Sequence, residues 1–193
     1  MRAEREIMLT GIGGQGVQLA AQVLARSALV EGREVMMLGT YGGAMRGGNT
    51  DSTLVVANAP ISAPPIVSRT WSAIAMHHEF WPAVASKLRP DAVVVLNSSL
   101  FEGEVEGPEL RVFGVDATVI SSEVTGAPMA ASLVLASAYA RVTGMVKLES
   151  LVAAMKESVP SYRQQHLAAN EAALRAGWDL LSSGAAPFWN GAR

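Results

Sequence analysis

Through the first two thirds of the chain, apolar residues fall in short runs separated by glycine, proline and charge; in the last third they recur at helical spacing. Glu6 to Thr10 is an apolar run that breaks at Gly11, Gly13, Gly14 and Gly16 into the Ala/Leu/Val-rich stretch Val17 to Val30. That order predicts strand, tight turn and helix. Gly32 stops the helix, Glu34 to Leu38 is a second apolar strand, and a helical crossover between two such runs implies a parallel sheet. Gly39 to Asn49 lacks periodicity and reads as a long functional loop. Asp51 to Val56, Ala73 to Met76, Ala92 to Leu96 and Arg111 to Asp116 read as further strands, with a helix from Glu79 to Leu88 closed by Pro90. From Thr118 onward the strands cease. A short helix to Val124 is followed by Met129 to Val142, apolar almost all round, with Pro128 suited to a first helical position. Leu148 to Val159 is amphipathic, and Ser161 with Gln164 makes a capping-box start for a last helix reaching about Leu181. The sum is one α/β domain over residues 1–193, three-layered, with a mainly parallel sheet and a helical C-terminal third.

Composition narrows the function classes. The chain has 193 residues, half of them apolar, a net charge of −2 and no cysteine. Mixed charges without a basic stripe argue against nucleic acid and against an anionic membrane surface as partners. The longest apolar stretch, Ala127 to Ala140, carries Ser132 and Ser137 and reads as a buried helix, not a membrane span. No disulfide, thiolate metal site, cysteine nucleophile or cysteine-ligated cluster can belong to this chain. A cytoplasmic protein is expected.

The glycine turn carries the chemistry. Gly11, Gly13 and Gly16 satisfy the dinucleotide fingerprint in a strand-to-helix context, and a helix N-terminus offers amides to an anion. An NAD site also wants an acidic residue ending the second strand. Here that strand ends Leu38-Gly39-Thr40, and Glu34 lies at the wrong end, so a packing turn is the competing reading. Asn97 and Ser98 follow the strongest strand, at the carboxyl end where ligands bind in open α/β sheets. Tyr41 is a candidate hydrogen-bond donor at an interface. His77, His78 and Glu79 suggest a metal, but adjacent strand residues point to opposite faces, and only His166 remains to complete a site. No Ser/His/Asp set is readable. Asp116 with Thr118 reads as a strand end and helix cap. Trp178, Phe188 and Trp189 are costly to leave in water, which predicts a C-terminal tail lying on a partner chain.

The stretches GIGGQGVQLAAQVLARSALVEG and TYGGAMRGGNTDSTLVVANAPISAPPI, with LRPDAVVVLNSS and a C-terminal ANEAALRAGW, resemble the gamma subunit or domain of 2-oxoacid:ferredoxin (or other acceptor) oxidoreductases of the pyruvate and ketoisovalerate type. The chain differs from that family's common pattern at Gly43 and Ala44 in the tyrosine loop, and at Trp71 and Ser72, where the family usually has an Ala-Asp pair. The resemblance implies a Rossmann-like fold and a multisubunit enzyme that decarboxylates a 2-oxoacid to acyl-coenzyme A. It implies thiamine diphosphate, magnesium and iron–sulfur clusters on thiamine-binding alpha and beta subunits and a ferredoxin-like delta subunit, with no cofactor held by this chain. Coenzyme A, as substrate, would approach Gly11, Gly13, Gly14, Gln15, Gly16, Tyr41, Arg46, Gly47 and Asn97, with Arg46 making a charge-assisted contact to phosphate. Two alternatives stand beside it: a self-sufficient nucleotide-dependent reductase, and a scaffold subunit that binds no ligand.

Overall fold

The computed structural model describes residues 4–42, 47–62, 64–107 and 109–189. Its strands are β1 (Glu4–Ile12), β2 (Glu34–Tyr41), β3 (Asn49–Ala57), β4 (Thr70–Ala75), β5 (Leu88–Asn97) and β6 (Arg111–Val115). The helices are α1 (Val17–Val30), α2 (Trp81–Ala85), α3 (Ala117–Thr125), α4 (Ala131–Thr143), α5 (Leu148–Ser158) and α6 (Leu167–Asp179). One sheet forms in the order β2-β3-β1-β4-β5-β6. The α/β architecture with a mainly parallel sheet and a helical C-terminal third is as the sequence predicts.

The connection after α1 is not. β1, β4, β5 and β6 are parallel neighbours, but β3 lies antiparallel between β1 and β2. The crossover through α1 therefore places β2 one strand further out, and β3 returns as a hairpin to fill the gap. Most of the expected loop from Gly39 to Asn49 belongs to that hairpin. Pairing runs out to Tyr41 opposite Thr50, and the Gly42 amide donates to the Asn49 carbonyl at 2.7 Å. No apolar alternation signals the outer half of β2 because it is an edge, exposed from Leu38 to Tyr41.

Successive side chains of a strand face opposite ways, and both faces of this sheet are covered. Ile7, Leu9, Leu54, Val56, Ile74, Val93 and Val95 belong to the main core beneath the long helices. There α1 and α4 lie on the sheet, α5 packs on α1, and α6 on α4. Met8, Ala73, Ala75, Val94 and Leu96 face the short α2 and the loop residues Val67, Phe101 and Val105. Burial on both sides explains why β4 and β5 read as unbroken apolar runs.

Three boundaries differ from the sequence pattern. The helix expected from Glu79 to Leu88 shrinks to α2, and Pro90 falls inside β5, ahead of the part that pairs with β6. The capping box at Ser161 and Gln164 does not form: Ser161–His166 is a 3-10 turn with no side-chain cap, and α6 starts at Leu167. The tail expected on a partner lies on its own core, with Phe188 only 1% exposed. The last carbonyls of a helix have no intrahelical donor. Here the amides of Gly184, Ala186 and Phe188 donate to Arg141, Val142 and Thr143 at the end of α4.

Helix α4 is buried from Ser132 to Ala140. Its small residues let α6 come so close that a Cβ at Gly177 would overlap the Val134 carbonyl and the Ser137 hydroxyl. Gly177→Ala is therefore expected to destabilise the fold by about 3 kcal/mol, the upper end for overpacking because the clash is with backbone. Thermal denaturation of the variant checks this, and an unchanged Tm would refute the close approach.

Candidate functional site

The carboxyl ends of β1, β4 and β5 meet the N-termini of α1 and α3 and the 3-10 turn Pro128–Ala130. The glycine turn after β1 is braced from inside. Gln15 Oε1 accepts the Ile12 amide at 2.8 Å, and the Gln15 amide donates to the Ile12 carbonyl at 3.1 Å. A Cβ on Gly11 would stand 2.8 Å from both Gln15 Oε1 and Met76 Cβ. The Gly13 amide donates to the Gly48 carbonyl at 2.9 Å, tying the turn to the β2–β3 hairpin. Gly16 sits at φ +80°, with the Ser132 hydroxyl where a side chain would be. Gly14, at φ +104°, faces open space. The first-turn amides of α1 lack intrahelical acceptors, as in any helix, and no side chain caps them. Ser132 Oγ is buried beside this turn without a hydrogen-bond partner among the described residues.

Asn97 is 2% exposed and fully engaged. Its amide nitrogen donates to Thr118 Oγ1 at 2.8 Å and to the Met76 carbonyl at 3.4 Å, while its oxygen accepts the Thr118 amide at 3.3 Å. It thus clamps β4, β5 and the start of α3 into the floor of a cleft of about 190 Å³. Gly14, Gln15, Met76, Thr118 and Met129 are among the residues of its walls. Met129 also borders a groove of about 810 Å³, along which lie Gln18, Tyr41, Tyr162, Arg163 and His166. Tyr41, Met129 and Tyr162 are each more than 70% exposed. Gly47 faces open space at φ +90°, and Arg46 lies outside the described residues.

The structure thus brings the glycine turn and Asn97 to one cleft and puts Tyr41 on the adjoining groove. Sequence reasoning missed Met76, Thr118 and Met129 as lining residues, and Tyr162 and Arg163 on the groove. Only Thr118, next to a strand end, carried any signal. The histidines also differ from the strand-face argument: His77 and His78 follow β4 in a bend, and their rings stack with centroids 4.5 Å apart. His78 Nδ1 lies 3.2 Å from the Leu100 carbonyl, and His166 belongs to the groove. Among the described residues no group of three His, Cys, Asp or Glu is placed to hold a metal. Nor is any described helix long and apolar enough to cross a membrane.

Strand order also bears on the dinucleotide fingerprint. In a nucleotide-binding βαβ unit the second strand runs beside the first and brings its acidic end to the ribose. Here antiparallel β3 intervenes, with Asn49 opposite Ile12. The end of β2 lies a strand away and carries no acid.

Comparison with known proteins gives a consistent answer. The family model for pyruvate ferredoxin/flavodoxin oxidoreductase matches residues 6–180. The pyruvate synthase subunit PorC of Methanothermobacter thermautotrophicus is 32% identical over 80% of this chain and 85% of its own. The common gamma subunit of the pyruvate/ketoisovalerate oxidoreductases of Pyrococcus furiosus is 29% identical over 79% of this chain and 85% of its own. The fold matches the crystal structure of a keto/oxoacid ferredoxin oxidoreductase gamma subunit from Geobacter sulfurreducens, with a TM-score of 0.78 at 22% identity over 91% of this chain and 95% of that one. It also matches 32% of the chain of the 2-oxoglutarate:ferredoxin oxidoreductase from Magnetococcus marinus, solved with 2-oxoglutarate, coenzyme A and succinyl-CoA, with a TM-score of 0.76 at 16% identity over 93% of this chain. The chain therefore belongs to the pyruvate ferredoxin/flavodoxin oxidoreductase family, as a gamma-type subunit of a 2-oxoacid oxidoreductase.

Proposed function

We propose that this gamma-type subunit presents its glycine turn and the adjoining cleft and groove to coenzyme A, while partner chains carry out the oxidative decarboxylation. The observation that carries the reading is the open space beside Gly14 in a cleft that shares Met129 as a wall with the neighbouring groove. Phosphate groups are well received by amides at a helix N-terminus. Arg46, which precedes Gly47 and Gly48 in the sequence, supplies in this reading a charge-assisted, bidentate donor to a phosphate. In this reading Gly11, Gly13, Gln15 and Gly16 shape the turn, Asn97 holds the cleft floor, and Gly47 and Tyr41 border the approach.

Thiamine diphosphate with magnesium supplies the decarboxylation chemistry when bound, and we assign it to alpha and beta partner subunits. With no cysteine in this chain, cysteine-ligated clusters fit only on other chains, such as a ferredoxin-like delta subunit that passes electrons to ferredoxin or a related acceptor. What this chain contributes is binding, orientation and the exclusion of water around the acyl acceptor. The stand-alone reductase is disfavoured by β3, which separates the end of β2 from the glycine turn.

Affinity purification of the tagged chain from its host is expected to bring down thiamine- and cluster-bearing chains. That complex should reduce a viologen dye with coenzyme A and one of a panel of 2-oxoacids. A lone chain that binds a nicotinamide nucleotide would sink the subunit role. Within the assembled enzyme, Arg46→Ala is expected to raise the KM for coenzyme A about tenfold, the effect of losing one charge-assisted hydrogen bond. Coenzyme A-independent turnover of the 2-oxoacid should be unchanged. An unaltered KM would mean that the glycine segments only fold against one another.

A further inference from the structure

The opposite end of the sheet holds a second, differently built cavity. Arg5 on β1, Trp71 on β4, Arg89, Pro90 and Asp91 on β5, and Arg111 on β6 line a pocket of about 480 Å³ at the amino ends of the parallel strands. Three guanidinium groups thus converge where the glycine-turn chemistry plays no part. Each is held in place by the protein. Arg5 Nε donates to the Phe188 carbonyl at 2.9 Å, and its guanidinium lies over the Trp71 ring, 4.7 Å from the centroid. Arg89 donates to Glu6 at 2.6 Å, and Arg111 donates twice to the Asp91 carbonyl, at 3.3 and 3.0 Å.

These contacts orient the groups without exhausting them. A guanidinium carries a fork of N–H donors, and most of those on Arg5, Arg89 and Arg111 have no partner among the described residues. The charge is also incompletely balanced. Glu6 stands behind Arg89 and outside the lining, and Asp91 is the one carboxylate among the lining residues. Arg5 is held below its ordinary pKa, first by burial and further by repulsion from Arg89 and Arg111, against the opposing pull of Glu6. Asp91 takes a left-handed conformation, φ +60°, that a residue with a side chain adopts at a cost. That strained backbone presents the carbonyl that aligns Arg111. Preorganised, partly desolvated guanidinium forks are the protein's usual means of binding an oxyanion.

We propose that this pocket is an anion site for a compact polyanion of the phosphate-ester or polycarboxylate kind, separate from the coenzyme A approach. Its three guanidiniums grip oxygen atoms in forked pairs, and Trp71 and Pro90 form the wall. The occupant is a small molecule, since about 480 Å³ holds the several oxyanion groups that three guanidiniums can take.

Isothermal titration of the purified full chain with pyrophosphate and with citrate tests the assignment. At least one probe is expected to bind saturably, once per chain, and more weakly as salt rises. Arg111→Gln should weaken that binding at least tenfold, and Arg111→Lys, which keeps the charge but loses the fork, severalfold. Arg26→Gln, which changes a surface ion pair elsewhere, should leave it unchanged, and circular dichroism verifies that each variant is folded. Absence of saturable binding by both probes would overturn the proposal. So would binding that Arg111→Gln and Arg111→Lys leave untouched, since the anion would then sit elsewhere, the glycine turn included. Neither result bears on the coenzyme A reading, which Arg46 tests on its own.

Discussion

The close approach of α4 to its neighbours is the constraint on which the rest of the molecule depends. The helix is apolar almost all round and nearly half alanine and serine, so its neighbours approach closely. Gly177 of α6 fits against Val134 and Ser137, and Gly16 at the start of α1 fits against Ser132. Tyr139, fully buried, reaches the Ser72 hydroxyl at 2.8 Å. Burial raises its phenol well above the ordinary pKa, an effect the Ser72 hydrogen bond only partly opposes. That hydroxyl therefore stays a neutral hydrogen-bonding partner.

The same helix draws in the tail. Three tail amides take the carbonyls at the end of α4, and Phe188 then packs edge-on against Trp71 with ring centroids 5.1 Å apart. Burying one such aromatic contributes roughly 1.5–3 kcal/mol. Trp71 and Ser72 are both taken up by these interior contacts.

The sheet divides the chemistry between its two ends. Helix N-termini and the glycine turn gather at the carboxyl ends of the parallel strands, where the cleft opens. At the amino ends Arg5 of β1, Arg89 of β5 and Arg111 of β6 gather around Trp71 of β4, because β1, β4, β5 and β6 are consecutive neighbours. Antiparallel β3 keeps β2 away from the first end, so the glycine turn is bordered by a hairpin and not by an acidic strand end.

Local pattern was sufficient for much of this. The β1-turn-α1 unit was legible because glycine punctuation and apolar periodicity are properties of adjacent residues, and β4, β5 and α4 because burial on all sides writes itself as continuous apolar runs. The nearness of the glycine turn and Asn97 was likewise expected from their positions at the ends of parallel strands, and the absence of cysteine determined that any cysteine-ligated cluster must belong to another chain. What the tertiary structure alone decided was pairing between segments distant along the chain. The insertion of β3 between β1 and β2, the tail folding onto α4, and the meeting of Arg5, Arg89 and Arg111 each depend on which strands become neighbours. That is set by the packing of whole faces, and no single stretch of sequence contains it.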